Sequence, residues 1–176
     1  MKEVVFILLG AVPPFDHLGL GWKPHGHEPE MIYGLPHFDF HFYQVSTSAV
    51  AANPPYEVDR TKFNNWPAQQ YLPANYVNFG GGVPQMGCHW LDVTSPELNG
   101  QTFTQTFIYG SYAGQVTFYE PVITEAFILN NPSFERSKSQ PAKGQQTGYY
   151  PAKSRVETAN GTVNIILANF VYRTQS

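Results

Sequence analysis

From His37 to Tyr43 the chain reads His-Phe-Asp-Phe-His-Phe-Tyr, an unbroken alternation of polar or ring-polar side chains with phenylalanines. A period of two belongs to a β-strand, because successive side chains leave the backbone on opposite faces. His37, Asp39, His41 and Tyr43 therefore share one face, and Phe38, Phe40 and Phe42 share the other. The alternation, read on to Val45, predicts a strand from His37 to Val45 with an apolar back and a chemical front. The front also narrows the chemistry, since imidazole and carboxylate are the ligands that Zn, Mn, Fe, Ni and Cu have in common.

The rest of the chain supports a β-rich setting for that strand. Fifteen Gly and fifteen Pro are spread through 176 residues, together with abundant Val, Thr, Tyr and Phe, and this mixture favours short strands and tight turns over long helices. The expected fold is mainly β, an antiparallel barrel or sandwich of cupin-like or jelly-roll type, with short helical turns and long loops. A chain of this length suits one domain spanning residues 1–176.

Local signals place several elements. Val4 to Leu9 reads as a first strand, because the preceding Met1-Lys2-Glu3 is electrically neutral and no A-x-A site follows, as a signal peptide would require. It is also too short to cross a bilayer as a helix. Pro13-Pro14 breaks that strand, and Phe15 to Pro36 reads as a loop-rich run. Asp59 to Trp66 predicts one or two helical turns stopped by Pro67, and Gly80-Gly81-Gly82 a sharp reversal. Phe103 to Tyr109 and Gln115 to Tyr119 predict a hairpin, with Glu120 closing the second strand before Pro121. Asn130 to Gly148 reads as an exposed loop. Asn160-Gly161 is the pair best suited to a two-residue type I′ turn, so Ser154 to Thr158 and Thr162 to Tyr172 predict a second hairpin.

A strand rises about 3.3 Å per residue, which leaves His37 and His41 roughly 13 Å apart at their Cα atoms. The strand alone cannot close round one ion in a relaxed conformation. Either one histidine pairs with Asp39, or curvature brings both histidines in while Asp39 orients them or moves a proton. Ligands from elsewhere are required, and the candidates are His89 in Gly87-Cys-His-Trp90, Glu120 in Tyr119-Glu-Pro121, and His27 with Glu28 in Gly26-His-Glu-Pro29. The expected metal set is His37, His41, His89, Glu120 and His27, with Asp39 and Glu28 beside it for orientation or proton transfer. Zinc leads the divalent candidates. His17 and His25 read as structural, and alternation turns Cys88 away from His89 into the core.

Composition excludes some functions and favours others. A net charge of −3 with no Lys/Arg run leaves no electrostatic footprint for nucleic acid. Only 13% of the residues are charged while 15% are aromatic, so part of the surface is expected to be covered, most simply by copies of the same chain.

The segments Trp22–Pro29, Pro36–Tyr43, Met86–Trp90 and Phe107–Pro121 together resemble an uncharacterised bacterial family of unknown function. Its members include a sigma-E-regulated protein that forms a homodecameric ring. The resemblance runs from about Val4 to Arg173, and Cys88 and Lys23-Pro24-His25 depart from it. It implies an oligomer, placement outside the cytoplasm, and polar motif residues at His27, Glu28, His37, Asp39, His41, His89 and Glu120. The function expected is that of an exported, self-assembling protein holding a divalent metal. The alternatives are a metal-dependent cupin-like enzyme, whose site keeps a coordination position open, and a carbohydrate-binding module built on exposed Trp and Tyr.

Overall fold

A computed structural model describes residues 3–130 and 133–176. Among the described residues ten strands form two antiparallel sheets, and the fold is a sandwich with no closed barrel. The larger sheet contains β1 (Val4–Val12), β2 (Phe15–Lys23), β3 (His37–Tyr43), β4 (Tyr76–Asn78), β5 (Cys88–Asp92), β6 (Gln105–Tyr112) and β7 (Gln115–Thr124), in the order β1-β2-β3-β7-β6-β5-β4. The smaller sheet runs β10-β9-β8, from β8 (Ser133–Ser137), β9 (Gly148–Ala159) and β10 (Thr162–Arg173). The described residues also form short helices in the loops: α1 (Glu30–Tyr33), α2 (Thr47–Ala51), α3 (Arg60–Phe63) and α4 (Glu125–Asn130).

The phenylalanine face of β3 packs towards the small sheet. Phe38 and Phe40 join a cluster with Ile123 of β7, Phe127 and Ile128 of α4, Phe134 of β8, Val156 of β9 and Ile165 of β10. A neighbouring aromatic core includes Phe107, Tyr109, Tyr119 and Tyr150, with the buried Lys138 ammonium 3.8 Å from the centre of the Phe107 ring. The polar face of β3 lies on the opposite side of the large sheet, and it is the more deeply buried of the two. His37, Asp39, His41 and Tyr43 are all at most 2% exposed, whereas the three phenylalanines remain half-buried. The chemical front is thus an interior, covered by α1 and the segments around Tyr33 and Phe103.

Several local expectations are corrected. The stretch from Phe15 is a strand rather than a loop: β2 pairs with both β1 and β3 along its length. Its alternation is concealed because Gly19 and Gly21 occupy the polar-face positions, where no side chain marks the period. Gly19 is needed there, since a Cβ would stand 2.4 Å from the Glu3 carboxylate. Glu120 does not close a strand; β7 continues through Pro121 to Thr124. Proline supplies no N–H for a ladder. The β3–β7 ladder accordingly opens opposite it, with pairing before Asp39↔Val122 and after Phe42↔Tyr119 but none at Phe40 and His41. The exposed loop expected over 130–148 contains β8 and buries Lys138. The first hairpin turns more tightly than expected, on Ala113-Gly114. The Asn160-Gly161 turn forms as read, both residues having the positive φ that a type I′ turn demands.

Candidate metal centre

The large sheet and its cover divide the sequence-derived ligands into two groups, His27–His37–Asp39 and His41–His89–Glu120. Within each group one ligand atom from every residue lies within 4.8 Å of the others. The division follows from strand rise. His37 and His41 are too far apart along β3 to meet at one ion, so each is completed by a different neighbour.

In the first group the tautomers are set by the backbone. His37 Nδ1 donates to the Leu35 carbonyl at 2.7 Å, and His27 Nδ1 donates to the Glu28 carbonyl at 2.7 Å. A carbonyl only accepts, so each ring carries a proton on Nδ1, which leaves Nε2 as the nitrogen available to an ion or a carboxylate. Asp39 completes the group: its Oδ1 lies 3.3 Å from His37 Nε2, while its Oδ2 is held 3.2 Å from the Lys23 ammonium. The two atoms stand 3.3 Å apart as an ion-pair contact, and both are buried without an aligned hydrogen bond. That separation is close to the edge of a tetrahedral zinc site, where bonds of about 2.0–2.1 Å imply ligand spacings of about 3.3 Å. Burial tends to raise the Asp39 pKa, but His37 and Lys23 outweigh it and hold the carboxyl below its ordinary value. Tyr33 and Phe103 wall the site, edge-on to one another and against the two imidazoles. His27 is the exposed member and forms the side open to solvent.

The second group is organised differently. The register of β3 against β7 sets His41 across from Glu120, and the His41 Nε2–Glu120 Oε1 distance is 3.1 Å. His89, on β5, lies with its Nε2 3.8 Å from Glu120 Oε2 and keeps a quarter of its side chain accessible. On the far side of the His41 ring, Nδ1 is 2.6 Å from Glu3 Oε1, and Tyr43 donates its hydroxyl to Glu3 Oε2 at 3.3 Å. A carboxylate on one ring nitrogen with the other left for an ion is the usual way a protein orients a metal-binding histidine. Phe118 closes the floor, edge-on to both His41 and His89. Burial disfavours charge on His41, yet Glu120 and Glu3 together overcome it and raise its pKa to about 10. Without an ion, a proton on His41 answers the two carboxylates. His89 behaves oppositely, its pKa lowered by burial despite Glu120, which keeps it neutral and able to donate its lone pair.

Of the residues singled out from sequence, Glu28 lies outside both groups. Its carboxylate is exposed and accepts from the Glu30 backbone N–H at the start of α1, while its carbonyl orients His27. Asp39, read as an orienting group, presents an oxygen directly among the ligand atoms. His17 is buried against Asp16 and stacked on Tyr43, His25 is exposed, and Cys88 is fully buried with its thiol donating to backbone carbonyls. Sequence reasoning missed Glu3 and Lys23. Lys23 was within reach, since it falls on the polar face of β2, opposite His37. Glu3 carries no such signal, because only the space above Gly19 admits it. No protein-family profile, curated protein or solved structure matches the chain.

Proposed function

We propose that this protein binds a divalent metal ion, zinc foremost, at His27 Nε2, His37 Nε2 and Asp39 Oδ1, and that it self-assembles outside the cytoplasm. The observation that carries the metal reading is the pair of Nδ1–H bonds to backbone carbonyls, which leaves the Nε2 atoms of two imidazoles gathered with the Asp39 carboxylate. Energetics agree. Across both groups Glu3 Oε1, His37 Nε2, Asp39 Oδ1, His41 Nδ1, His41 Nε2 and Glu120 Oε2 are buried without an aligned hydrogen bond. A buried polar atom left without a hydrogen bond typically costs about 1–3 kcal/mol, offset here in part by ion pairing within each group. A bound cation removes much of that cost at its own group.

Three protein ligands leave a zinc ion one coordination position for water or substrate, and this favours the metal-dependent enzyme as the second reading. Assembly is supported by β1, an edge strand whose Val4, Val5, Phe6 and Ile7 are all at least 46% exposed and which carries no charge from Val4 to Val12. Export rests on the family resemblance alone.

The test is elemental analysis of the purified chain after dialysis against zinc. The wild type is expected to retain the ion at the first group and His27→Ala/His37→Ala to lose it. Equal zinc in both proteins would refute the assignment.

A further inference from the structure

We propose that His41, His89 and Glu120 form a second divalent-cation site, loaded independently of the first, with Glu3 as its positioning residue. The proposal borrows from the preceding one only the class of ion. Its own support is geometric. Glu120 stands between two imidazoles and turns one oxygen to each, at 3.1 Å from His41 Nε2 and 3.8 Å from His89 Nε2. His41 Nε2 and Glu120 Oε2 are buried, lack hydrogen-bond partners and point into the same space. Spacings of 3.1 and 3.8 Å bracket the ligand separations of a four-coordinate divalent ion, so the same three side chains can hold an ion in place of a proton.

The surroundings fit a prepared site. His41 is 1% exposed and its ring is packed edge-on against Phe118, so it has little freedom to turn away. Glu3 grips the opposite nitrogen, and Tyr43 in turn donates to Glu3. This relay of hydroxyl, carboxylate and imidazole fixes which nitrogen faces Glu120. Gly19 leaves room for the Glu3 carboxylate, and the β3–β7 ladder is open between His41 and Glu120 while each remains paired on its other side. Entry is through His89, the one ligand of the three with substantial exposure. The ligand composition, two imidazoles and one carboxylate, duplicates that of the first group. Each group also combines buried ligands of the large sheet with one more accessible histidine.

Glu3 precedes β1, the edge strand, so the positioning role links the second site to the seating of the chain's first strand. Filling the site is expected to hold β1 in place through Glu3.

The experiment uses the full chain, stripped with chelator and titrated with zinc or cobalt(II), with bound metal counted after gel filtration. The expected result is two ions per chain in the wild type, one in His89→Ala, one in His27→Ala/His37→Ala and none in the triple variant. His89 is partly exposed, so its truncation is the variant least disturbing to the fold. Two ions retained in His89→Ala would overturn the second site, as would a wild type holding a single ion that His27→Ala/His37→Ala removes, a result that leaves the first reading intact. No ion in any protein would overturn both. For Glu3→Gln the second ion is expected to bind about 10- to 100-fold more weakly while the first is unchanged. A purely structural Glu3 would instead lower the melting temperature of the metal-free protein without separating the two affinities, and that outcome overturns the positioning role.

Discussion

Lys23 and Asp39 form a buried ion pair, 3.2 Å between Nζ and Oδ2, with side chains 10% and 3% exposed. Replacing Lys23 by Met keeps most of the volume and removes the charge, leaving the Asp39 carboxylate with His37 as its remaining close partner. Breaking a buried pair from one side typically costs about 3–5 kcal/mol. For a domain of this size each kcal/mol moves the melting temperature by about 2–4 °C, so the metal-free variant is expected to melt about 6–20 °C lower than wild type. A divalent ion at Asp39 Oδ1 offers a second countercharge to the same carboxylate. Saturating zinc should therefore shrink the penalty by more than half. The assay is paired thermal unfolding of wild type and Lys23→Met, in chelator and in excess zinc. Acidification gives a second readout of the same pair. Asp39 has a depressed pKa, so its contribution is present above the ordinary carboxylate range and is lost as pH falls through the folded value. The variant should show less of that acid-side loss. Equal penalties with and without zinc would refute the reasoning, because the ion would then not be reaching Asp39.

The metal-free protein should lose stability as pH rises from about 6.5 to about 10, because His41 is charged in the fold and neutral in the unfolded chain, at a slope of at most about 1.4 kcal/mol per pH unit. Denaturant titrations across that range should show a flatter profile for His41→Gln. Gly110→Ala would set a Cβ 2.0 Å from the Phe118 ring, which floors His41 and His89. It should cost about 1–3 kcal/mol by urea unfolding, and a loss under 0.5 kcal/mol would show that the ring has room to move. Val5→Lys/Ile7→Lys should convert an assembled protein to monomer in light scattering, since charges on a sheet edge block pairing. An unchanged mass would place the interface elsewhere.

The strand was legible from His37, with its end read two residues late at Val45, because alternation is a property of backbone geometry that survives any packing. Which of its faces would be interior was not. Hydrophobicity assigns the phenylalanines inward, yet the imidazoles and Asp39 are the deeper set, since each finds a charge or a carbonyl within reach. The ladder that joins β3 to both β2 and β7 depends on long-range pairing, which period alone does not reveal. Two glycines removed the signal of β2, and Pro121 mimicked the end of a strand that in fact runs on past an opened ladder. Sequence alone gathers all five ligands into one set, whereas the rise between His37 and His41 separates them into two. His27 comes from the loop before α1 and His89 from β5, and nothing in their spacing states which histidine of β3 each would join.

The most direct measurement is anomalous X-ray scattering at the zinc edge from crystals grown with zinc. The account predicts a peak within about 2.0–2.2 Å of His27 Nε2, His37 Nε2 and Asp39 Oδ1, with Lys23 still against the far oxygen of Asp39. Anomalous density confined to surface residues, with those three atoms free of metal, would contradict it.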